Sequence, residues 1–296
     1  MKVSGKNHRC RLSLASGILH LSLGAAILTL SSCGPELKLP TRVCAGKQSL
    51  PQSLDSLRSY SEDILPLKAT GRCDARFYVE DKKYKESFPV TLWVNPPAQI
   101  RLHGDLFLNT RGIILGSNER EFWLALKPKE ISTYHWGLWS EQGTSEGLMI
   151  NPKTLLEALG IVAVGGDEGW SLSNEGPFDV LSERNNQGSI IKKVYIHSCD
   201  YRVAKIEHFN EDGQIVVVTE LYKYKEISEG CFVPSAIKII RHDANGRKDS
   251  FLMRLNSIKP HTFDKRKRDI YFTPRKPKGI KHVYRIIDGN VIEQPQ

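Results

Sequence analysis

The sequence predicts a mainly β protein, built on one curved antiparallel sheet that forms an incomplete barrel with short helices covering its concave side. Apolar and polar residues alternate with a period of two over most of the chain after residue 66, as in half-buried strands. Clusters of Gly, Pro, Asn and Asp separate these stretches, and two short segments have helical spacing instead. About twelve strands with two short helices exceed a small sandwich, which favours the strongly curved sheet.

The N-terminus has the pattern of a bacterial lipoprotein signal peptide over residues 1–32. Four basic residues precede an apolar stretch from Leu12 to Leu30, and Leu30-Ser31-Ser32-Cys33 places small residues before a cysteine. Similarity to lipoprotein signals implies that Cys33 becomes the first residue and carries a diacylglyceryl thioether and an acylated amine. An ordinary secretory signal or a membrane-spanning helix is the alternative. Polar residues within the apolar stretch, and Gly34-Pro35 after it, disfavour the helix.

The location that this signal predicts is the bacterial cell envelope. Gly34, rather than Asp, follows Cys33. In envelopes where the sorting rule is known, Asp at that position favours inner-membrane retention. The sequence therefore favours an outer-membrane protein that faces the periplasm and is held by its N-terminal lipid.

The positive charge of the chain is concentrated near its C-terminus. The net charge is +9, and removing residues 1–32 takes away four basic groups and no acidic one, which leaves +5. Residues 264–285 carry a net +7, so the remainder of the mature chain is slightly acidic. This distribution excludes a whole-surface nucleic-acid footprint. The segment 264–285, with the basic run Lys265, Arg266, Lys267 and Arg268, predicts docking on anionic headgroups or, alternatively, a solvated and partly disordered segment. Residues 276–296 are predicted to form a basic C-terminal tail.

Four cysteines remain after the signal peptide and Cys33 are set aside: Cys44, Cys73, Cys199 and Cys231. An even number in an oxidising compartment allows two disulfides, and three pairings are open. Buried free thiols are the alternative, and the spacing does not fit a metal site. Cys199 and Cys231 fall in turns at the same end of the predicted sheet, but an intervening strand separates them by about 10 Å, beyond a relaxed disulfide.

The chain divides into a tether over 33–49 and a folded domain over 50–275. Leucines from Leu50 to Leu65 recur at helical spacing and Pro66 ends that helix. A second helix begins with Asn151 as the N-cap and Pro152 in the first position, and ends before Gly160. The predicted strands are residues 69–79, 88–94, 99–103, 110–115, 121–126, 131–136, 189–197, 202–209, 214–225, 232–241 and 250–258.

Several short motifs resemble the LolA/LolB family of envelope lipoproteins and lipoprotein carriers. They include the acylated cysteine, the N-terminal helix, the mid-chain helix and the strand pair joined by Asn-Pro-Pro-Ala-Gln-Ile-Arg-Leu. They also include Tyr201-Arg202-Val203-Ala204-Lys205-Ile206, Asp212-Gly213, Phe232-Val233-Pro234 and Asp269-Ile270-Tyr271-Phe272-Thr273-Pro274. The likeness covers roughly residues 50–274.

The resemblance implies a half-barrel with an apolar cavity for acyl chains and a lid that controls access. Small residues beside Phe77 and Val79 on the first strand leave volume in that interior, although a closed core is the alternative. The family's arginine that holds the lid would correspond to Arg101, unless that side chain faces outward. The ligand-binding residues implied are Phe77, Val79, Leu92, Arg101, Leu155, Leu156 and Leu159.

The family's membrane-touching loop corresponds to Leu106, Phe107 and Leu108. Three adjacent apolar residues between turn formers lack strand alternation and would be costly to expose without a partner. The alternative is a buried continuation of the strand.

Enzymatic functions find little support, and we expect no cofactor and no metal. Gly143-Thr144-Ser145-Glu146-Gly147 fits G-x-S-x-G but lacks the strand and helix that a nucleophile elbow needs. Residues 243–246 resemble the start of a calcium loop without its closing glutamate, and the scattered histidines are expected to be strand residues. Two hypotheses remain. One is a carrier of acyl chains or lipidated cargo in lipoprotein or lipid trafficking, and the other is a structural or assembly lipoprotein that binds a protein or polysaccharide.

Overall fold

One open sheet dominates the computed structural model. The structure describes residues 44–79, 82–106, 109–128, 131–141, 151–162, 164, 166–242 and 246–295. They belong to one compact unit, Thr41–Gln296. The helices are α1 (Leu50–Glu62), α2 (Pro152–Glu157) and α3 (Lys265–Tyr271), with a short 3-10 turn at Trp139–Glu141.

The strands of the N-terminal half are β1 (Leu67–Val79), β2 (Lys82–Asn95), β3 (Gln99–Leu106), β4 (Asn109–Ser117), β5 (Glu121–Leu126) and β6 (Thr133–Leu138). Those of the second half are β7 (Trp170–Glu175), β8 (Phe178–Arg184), β9 (Ile190–His197), β10 (Val203–Phe209), β11 (Ile215–Ser228), β12 (Cys231–His242) and β13 (Lys248–Pro260), followed by β14 (His282–Ile287) and β15 (Asn290–Gln294).

The strand order places two meanders side by side. It runs β15-β14-β6-β5-β4-β3-β2-β1-β13-β12-β11-β10-β9-β8-β7, so β15 and β7 are the edges and the sheet does not close. Every neighbouring pair is antiparallel except β14 and β6, which are parallel. The predicted fold class, a curved antiparallel sheet that forms an incomplete barrel, is confirmed.

The pairing of β1 with β13 joins the two halves at the centre of the sheet. It runs from Leu67 opposite Pro260 to Arg76 opposite Ser250, with an irregularity between Thr70 and Gly71. A Cβ atom at Gly71 would lie 2.0 Å from a backbone carbonyl oxygen of β13. Glycine is therefore required there because the two backbones approach too closely for any side chain.

The inner face of the sheet carries the main core. Alternate residues of β1 and β2, such as Cys73, Phe88 and Leu92, lie there with inward residues from β8 to β13. Leu54 and Leu57 of α1 are fully buried against them, as are apolar residues of α2. The inner face is thus closed by helices rather than by a second sheet.

The outer face is partly covered by the C-terminal segment. Phe263 and Phe272, on either side of α3, pack on Trp93 of β2, and Ile280 and Val283 pack on a second group that includes Trp123. Residues 261–281 therefore cross the outer face before β14 pairs with β6. This crossing accounts for the parallel pairing of β14 with β6. The chain leaves β13 at one end of the sheet and crosses to the other end, so β14 starts at the same end as β6 and runs in the same direction.

Most of the sequence-predicted elements are found, and four strands were missed. Strands β7, β8, β14 and β15 had not been predicted, and the segment expected as a basic tail over 276–296 contains β14 and β15. The sheet thus continues beyond the domain boundary drawn at 275. The tether predicted over 33–49 also overlaps the folded body, because Lys47 N–H donates to Asp179 Oδ2 at 2.9 Å.

The disulfide pairing differs from the pairing of Cys199 with Cys231 that the sequence analysis considered. Cys44 forms a disulfide with Cys199, and Cys73 and Cys231 are buried free thiols. The pairing of Cys199 with Cys231 is therefore wrong. The Cys44–Cys199 bond links the chain before α1 to the turn after β9. Burial raises the pKa of the Cys73 thiol, so that thiol stays protonated and is unreactive.

We expect Cys199→Ser to lower the free energy of unfolding by about 2–5 kcal/mol, because the bridge closes a loop of 155 residues in the unfolded chain. Denaturant unfolding of protein made in an oxidising compartment measures the change. The Cys44→Ser variant should lose the same amount, and the double variant no more than either. Peptide mapping without reductant that found Cys199 joined to Cys231 would refute the assignment.

Candidate functional site

The candidate site is the inner face of the sheet beneath α2. Helix α1 covers one part of this face and is fixed by polar bonds at its C-terminal end. Tyr60 O–H donates to the carbonyl of Phe232 at 2.6 Å, and Ser61 O–H donates to the carbonyl of Gly160 at 2.9 Å. Ser61 Oγ also accepts from Val162 N–H at 3.2 Å. The end of α1 therefore holds the segment that follows α2.

Helix α2 has the two ends that its sequence predicts. The Asn151 side chain accepts from Lys153 N–H at 2.8 Å, and Pro152 occupies the first turn. Gly160 adopts φ +93°, a left-handed conformation that favours glycine and ends the helix. A helix of six residues is too short to be stable by itself, so its packing on the sheet must hold it.

The apolar face of α2 lies in the main core. Leu155 and Leu159 are fully buried and Leu156 is nearly so, in the same cluster as Leu92 of β2. Sequence analysis had placed these leucines on a lid over a cavity. The structure places all four residues in the same apolar core, with Leu155 and Leu156 on α2 and Leu159 in the turn after it.

A buried charge cluster also ties α2 to the sheet. Glu157, at the end of the helix, is 1% exposed. One of its carboxylate oxygens lies 3.0 Å from Nε2 of His208 on β10, and the other lies 3.5 Å from Nζ of Lys192 on β9. Lys192 Nζ also lies 2.8 Å from a carboxylate oxygen of Glu183 on β8 and 5.1 Å above the ring of Trp170. One helix residue thus contacts two neighbouring strands, through an ion pair with Lys192 and a hydrogen bond with His208.

The electrostatics of this cluster depend on its partners. Burial by itself would raise the pKa of the Glu157 carboxyl, but Lys192 and His208 outweigh burial and lower that pKa from 4.5 to about 2. Burial would lower the pKa of Lys192, yet Glu157 and Glu183 raise it. Both groups are therefore charged at neutral pH. A buried charge is strongly destabilising once its partner is removed, so α2 cannot leave the sheet without a large local cost.

Other residues expected in the cavity are less central. Phe77 lies on β1, packs at the margin of the main core and stacks on Tyr84 with ring centroids 5.7 Å apart. Val79 is the last residue of β1, and its side chain is outside the described part of the chain. Leu106 ends β3 half-buried against the main core, whereas Phe107 and Leu108 lie outside the described residues.

Arg101 lies on the outer face of the sheet and not in the cavity, where it was expected. Its Nε–H donates to Nε2 of His103 at 2.7 Å, and one NH group donates to the carbonyl of Tyr271 at 2.8 Å. Residues 100 and 102, its neighbours on β3, point inward into the main core. The alternation of the strand therefore directs Arg101 outward, where it holds the C-terminal end of α3.

A second concavity lies on the outer face of β8–β11. It is an open groove of about 490 Å³. The aromatic side chains of Phe178, Tyr195 and Tyr222 line it, together with Lys205. Lys205 Nζ lies 3.7 Å from the Tyr195 ring centroid and donates to Glu207 at 2.8 Å. Glu220, which also lines the groove, pairs with Lys238 at 2.8 Å, so the groove combines aromatic rings with charged groups that have partners outside its lining.

Sequence reasoning missed the charge cluster. Lys192 occupies an inward position of β9, in phase with Val194 and Ile196, where alternation predicts an apolar residue. A charged residue at an inward position is the signal that would have identified it. His103, His135, His197 and His208 all lie in strands, as expected.

The described part of the chain shows neither a metal site nor a membrane-spanning helix. No group of three or more His, Cys, Asp or Glu side chains is arranged there to hold a metal ion. No helix there is long and apolar enough to cross a bilayer. The G-x-S-x-G motif at 143–147 and most of the turn at 243–246 lie outside the described residues.

The fold is similar to solved structures of the bacterial envelope. A putative outer membrane lipoprotein-sorting protein domain from Vibrio parahaemolyticus superposes with a TM-score of 0.52 at 11% identity, over 74% of this chain and 96% of that chain. The chain shares the fold of that domain. A LolA superfamily protein from Nitrosomonas europaea gives 0.49 at 10% identity over 75% and 97%. A DUF1329 family protein from Desulfovibrio piger gives 0.49 at 11% identity over 76% and 97%.

The LolA-like likeness is one of fold. No family model matches the sequence, and no curated protein matches it. The resemblance expected from the short motifs is thus confirmed at the level of architecture. At 11% identity it does not transfer the residues of any other protein's site to this chain.

We expect Glu157→Gln to lower the free energy of unfolding at pH 7 by on the order of 3 kcal/mol, because Lys192 and His208 lose a buried anion. Since the folded-state pKa of Glu157 lies below 4.5, its contribution is complete above pH 4.5 and is lost as pH falls toward 2. The gap in stability between wild type and variant should therefore close over that interval, as measured by denaturant unfolding at each pH.

The exposed Glu168 provides a matched control. Glu168→Gln should change stability by less than about 0.5 kcal/mol at any pH. A gap for Glu157→Gln that stays constant from pH 7 to pH 3 would contradict the ionic attachment of α2.

Proposed function

We propose that this protein is a lipid-anchored lipoprotein of the bacterial envelope that binds acyl chains or lipidated protein cargo against the inner face of its sheet. It performs no chemical reaction and takes part in outer-membrane lipoprotein or lipid trafficking. The observation that carries the proposal is the open sheet whose apolar inner face is covered by short helices, one of which depends on the sheet for its stability.

The envelope location rests on the N-terminal sequence and on the fold. The basic start, the apolar stretch and Leu30-Ser31-Ser32-Cys33 support cleavage and acylation at Cys33. The Vibrio parahaemolyticus domain of the same fold is named for outer membrane lipoprotein sorting. Together they favour a periplasm-facing protein on the outer membrane, with lipid rather than nucleic acid as its partner.

In this proposal α2 is the lid. An acyl chain needs the space that Leu155 and Leu159 occupy, so the helix moves aside when cargo enters. The apolar surface of Leu92 and its neighbours is then covered by methylene groups, each of which contributes about 0.8 kcal/mol on leaving water. The exchange replaces one apolar contact by another, so its main cost is the separation of Glu157 from Lys192 and His208.

The charge cluster sets how firmly the lid is closed. Lys192 keeps Glu183 as a partner when Glu157 leaves, which limits the cost of opening. A protein whose open form is rare binds cargo with an apparent affinity reduced by the fraction that is open. Weakening the attachment of α2 therefore increases apparent affinity.

The direct test of cargo is native mass spectrometry of protein purified from bacterial envelopes, followed by organic extraction. An acylated molecule that is released in near-stoichiometric amount supports the proposal. Protein that is consistently free of acyl lipid and fails to bind a fluorescent fatty-acyl probe would refute it.

We expect Glu157→Gln to bind a fluorescent fatty-acyl probe several-fold more tightly than wild type, because opening no longer separates the buried charges. Fluorescence titration at pH 7 measures the apparent affinity, and Glu168→Gln should bind as wild type does. Weaker binding by Glu157→Gln would show that α2 is part of the binding surface rather than its lid.

For the anchor, we expect Cys33→Ser to shift the protein from the membrane fraction to a soluble or unprocessed form, since the thioether cannot form. Cell fractionation and metabolic labelling with a fatty acid give the result. Unchanged membrane fractionation with no label in either form would refute lipidation at Cys33.

A second function is favoured by the outer groove. Its aromatic lining suits stacking on a sugar ring, which agrees with an assembly lipoprotein that binds polysaccharide or a protein partner. Tyr222→Ala would then abolish binding of envelope glycans while leaving acyl-probe binding intact. The mass spectrometry experiment separates the two functions.

A further inference from the structure

The two ends of the strands form two rims of the sheet, and the disulfide marks one of them. One rim contains the Cys44–Cys199 bond, the β11–β12 turn and the pair Leu67 and Pro260, and we call it the tether rim. The opposite rim, the far rim, contains the last described residue of β1, Val79, and that of β3, Leu106. The registers of β10 to β13, β1 and β2 place these features at opposite ends of the same strands.

Helix α3 lies at the tether rim. His261 N–H donates to the carbonyl of Pro66 at 2.8 Å, which fixes the chain beside the start of β1. The Asn118 side chain donates to the carbonyl of Phe272 at 3.1 Å, and Tyr271 stacks on Trp93 with ring centroids 4.9 Å apart. The helix is therefore held by its two flanks, and none of its residues is buried.

The exposed surface of α3 is strongly basic. Lys265, Arg266, Lys267 and Arg268 are all exposed, and Ile270 is an exposed apolar residue beside them. Among the described residues no ion pair of Lys265 or Arg266 is found, and Lys267 has only a distant one with Asp264, at 3.9 Å. The charge is thus largely available to an external anion.

A neighbouring group experiences this positive field. Burial and then the charges of Lys267 and Lys68 lower the pKa of His261. Lys68 of β1, whose Nζ lies 5.8 Å from the ring centroid of Trp93, therefore adds to the positive charge of α3 on this part of the outer face.

The tether reaches this rim easily. Ten residues separate Cys33 from Cys44, so an extended tether spans up to about 38 Å from the disulfide. Five strand spacings separate β10 from β2, where α3 lies, or about 24 Å along the sheet. Reaching a membrane at the far rim would instead require the tether to run the length of β1, which is thirteen residues or about 40 Å, and this is no less than its fully extended length.

We propose that the basic surface of α3 docks on anionic headgroups of the membrane that holds the lipid on Cys33, with the tether rim facing the bilayer and the far rim facing away. This orientation rests on the proposed anchor at Cys33, whereas the headgroup binding does not. Each basic residue close to an anionic surface strengthens binding, and several together orient a body that the acyl chains already retain. Leu106, at the end of β3 on the far rim, then faces away from the membrane while α3 is docked.

The experiment uses the compact unit that begins at Thr41, which retains Cys44 and lacks the lipid. Sedimentation with vesicles of phosphatidylethanolamine, with or without phosphatidylglycerol, measures partition at increasing salt. We expect binding to anionic vesicles that falls steeply with salt. Changing Lys265, Arg266, Lys267 and Arg268 to Gln should reduce the partition coefficient by about tenfold or more.

A matched control removes the same charge from the far rim. Arg76, Lys82, Lys83 and Lys85 are exposed in the β1–β2 hairpin. Changing these four to Gln should leave partition within about twofold of wild type if docking is local to α3. Equal losses in the two variants, or equal binding to neutral and anionic vesicles, would overturn the proposal. Failure to bind any vesicle would overturn it as well and would direct attention to an acidic protein partner.

Orientation is tested on the full lipidated chain in the same vesicles. A fluorophore attached at Ile270→Cys should be quenched by a spin label in the headgroup region, whereas one at Tyr84→Cys on the far rim should not. The reverse pattern would place the far rim on the membrane and refute the orientation. Acyl-probe binding by the same samples reports on the proposed carrier function separately, so the two proposals fail independently.

Discussion

The pairing of β1 with β13 is the constraint on which the rest of the structure depends. It joins residues that are about 180 positions apart, and it converts two local meanders into a single sheet with one continuous apolar face. Gly71 permits the close approach of the two backbones at the centre of this pairing. Because an apolar sheet face must be covered, the helices are needed on the inner side, and no second sheet is available to replace them.

Covering a curved face with short helices has a physical consequence. A second sheet would fill the interior along its whole length, whereas α2 has six residues and contributes a few leucines. The buried bonds of Glu157 to Lys192 and His208 compensate for this small contact area by giving the helix one defined position. Buried ion pairs stabilise weakly for their cost, but they discriminate strongly between a correct and a displaced arrangement. This discrimination suits a helix that moves between a closed and an open position, as proposed for α2.

The outer face is partly covered by the C-terminal segment of the chain. The chain leaves β13, crosses over β1 to β6 and re-enters the sheet beside β6, and aromatic clusters on Trp93 and Trp123 hold this crossing segment. Arg101 contributes from the outer face by binding the end of α3. The basic residues therefore lie on a fixed helix rather than on a flexible tail.

The sequence by itself determined the strands whose alternation is clear, such as β1, β2 and β12, and both ends of α2, because these depend on periodicity and capping within a few residues. It did not reveal β7 or β15, which are edge strands with little alternation, nor β8 and β14. The partner of Cys199, the outward direction of Arg101 and the charge cluster at Glu157 depended on which strands become neighbours. That information lies in contacts between residues more than thirty positions apart, so only the tertiary structure decided them.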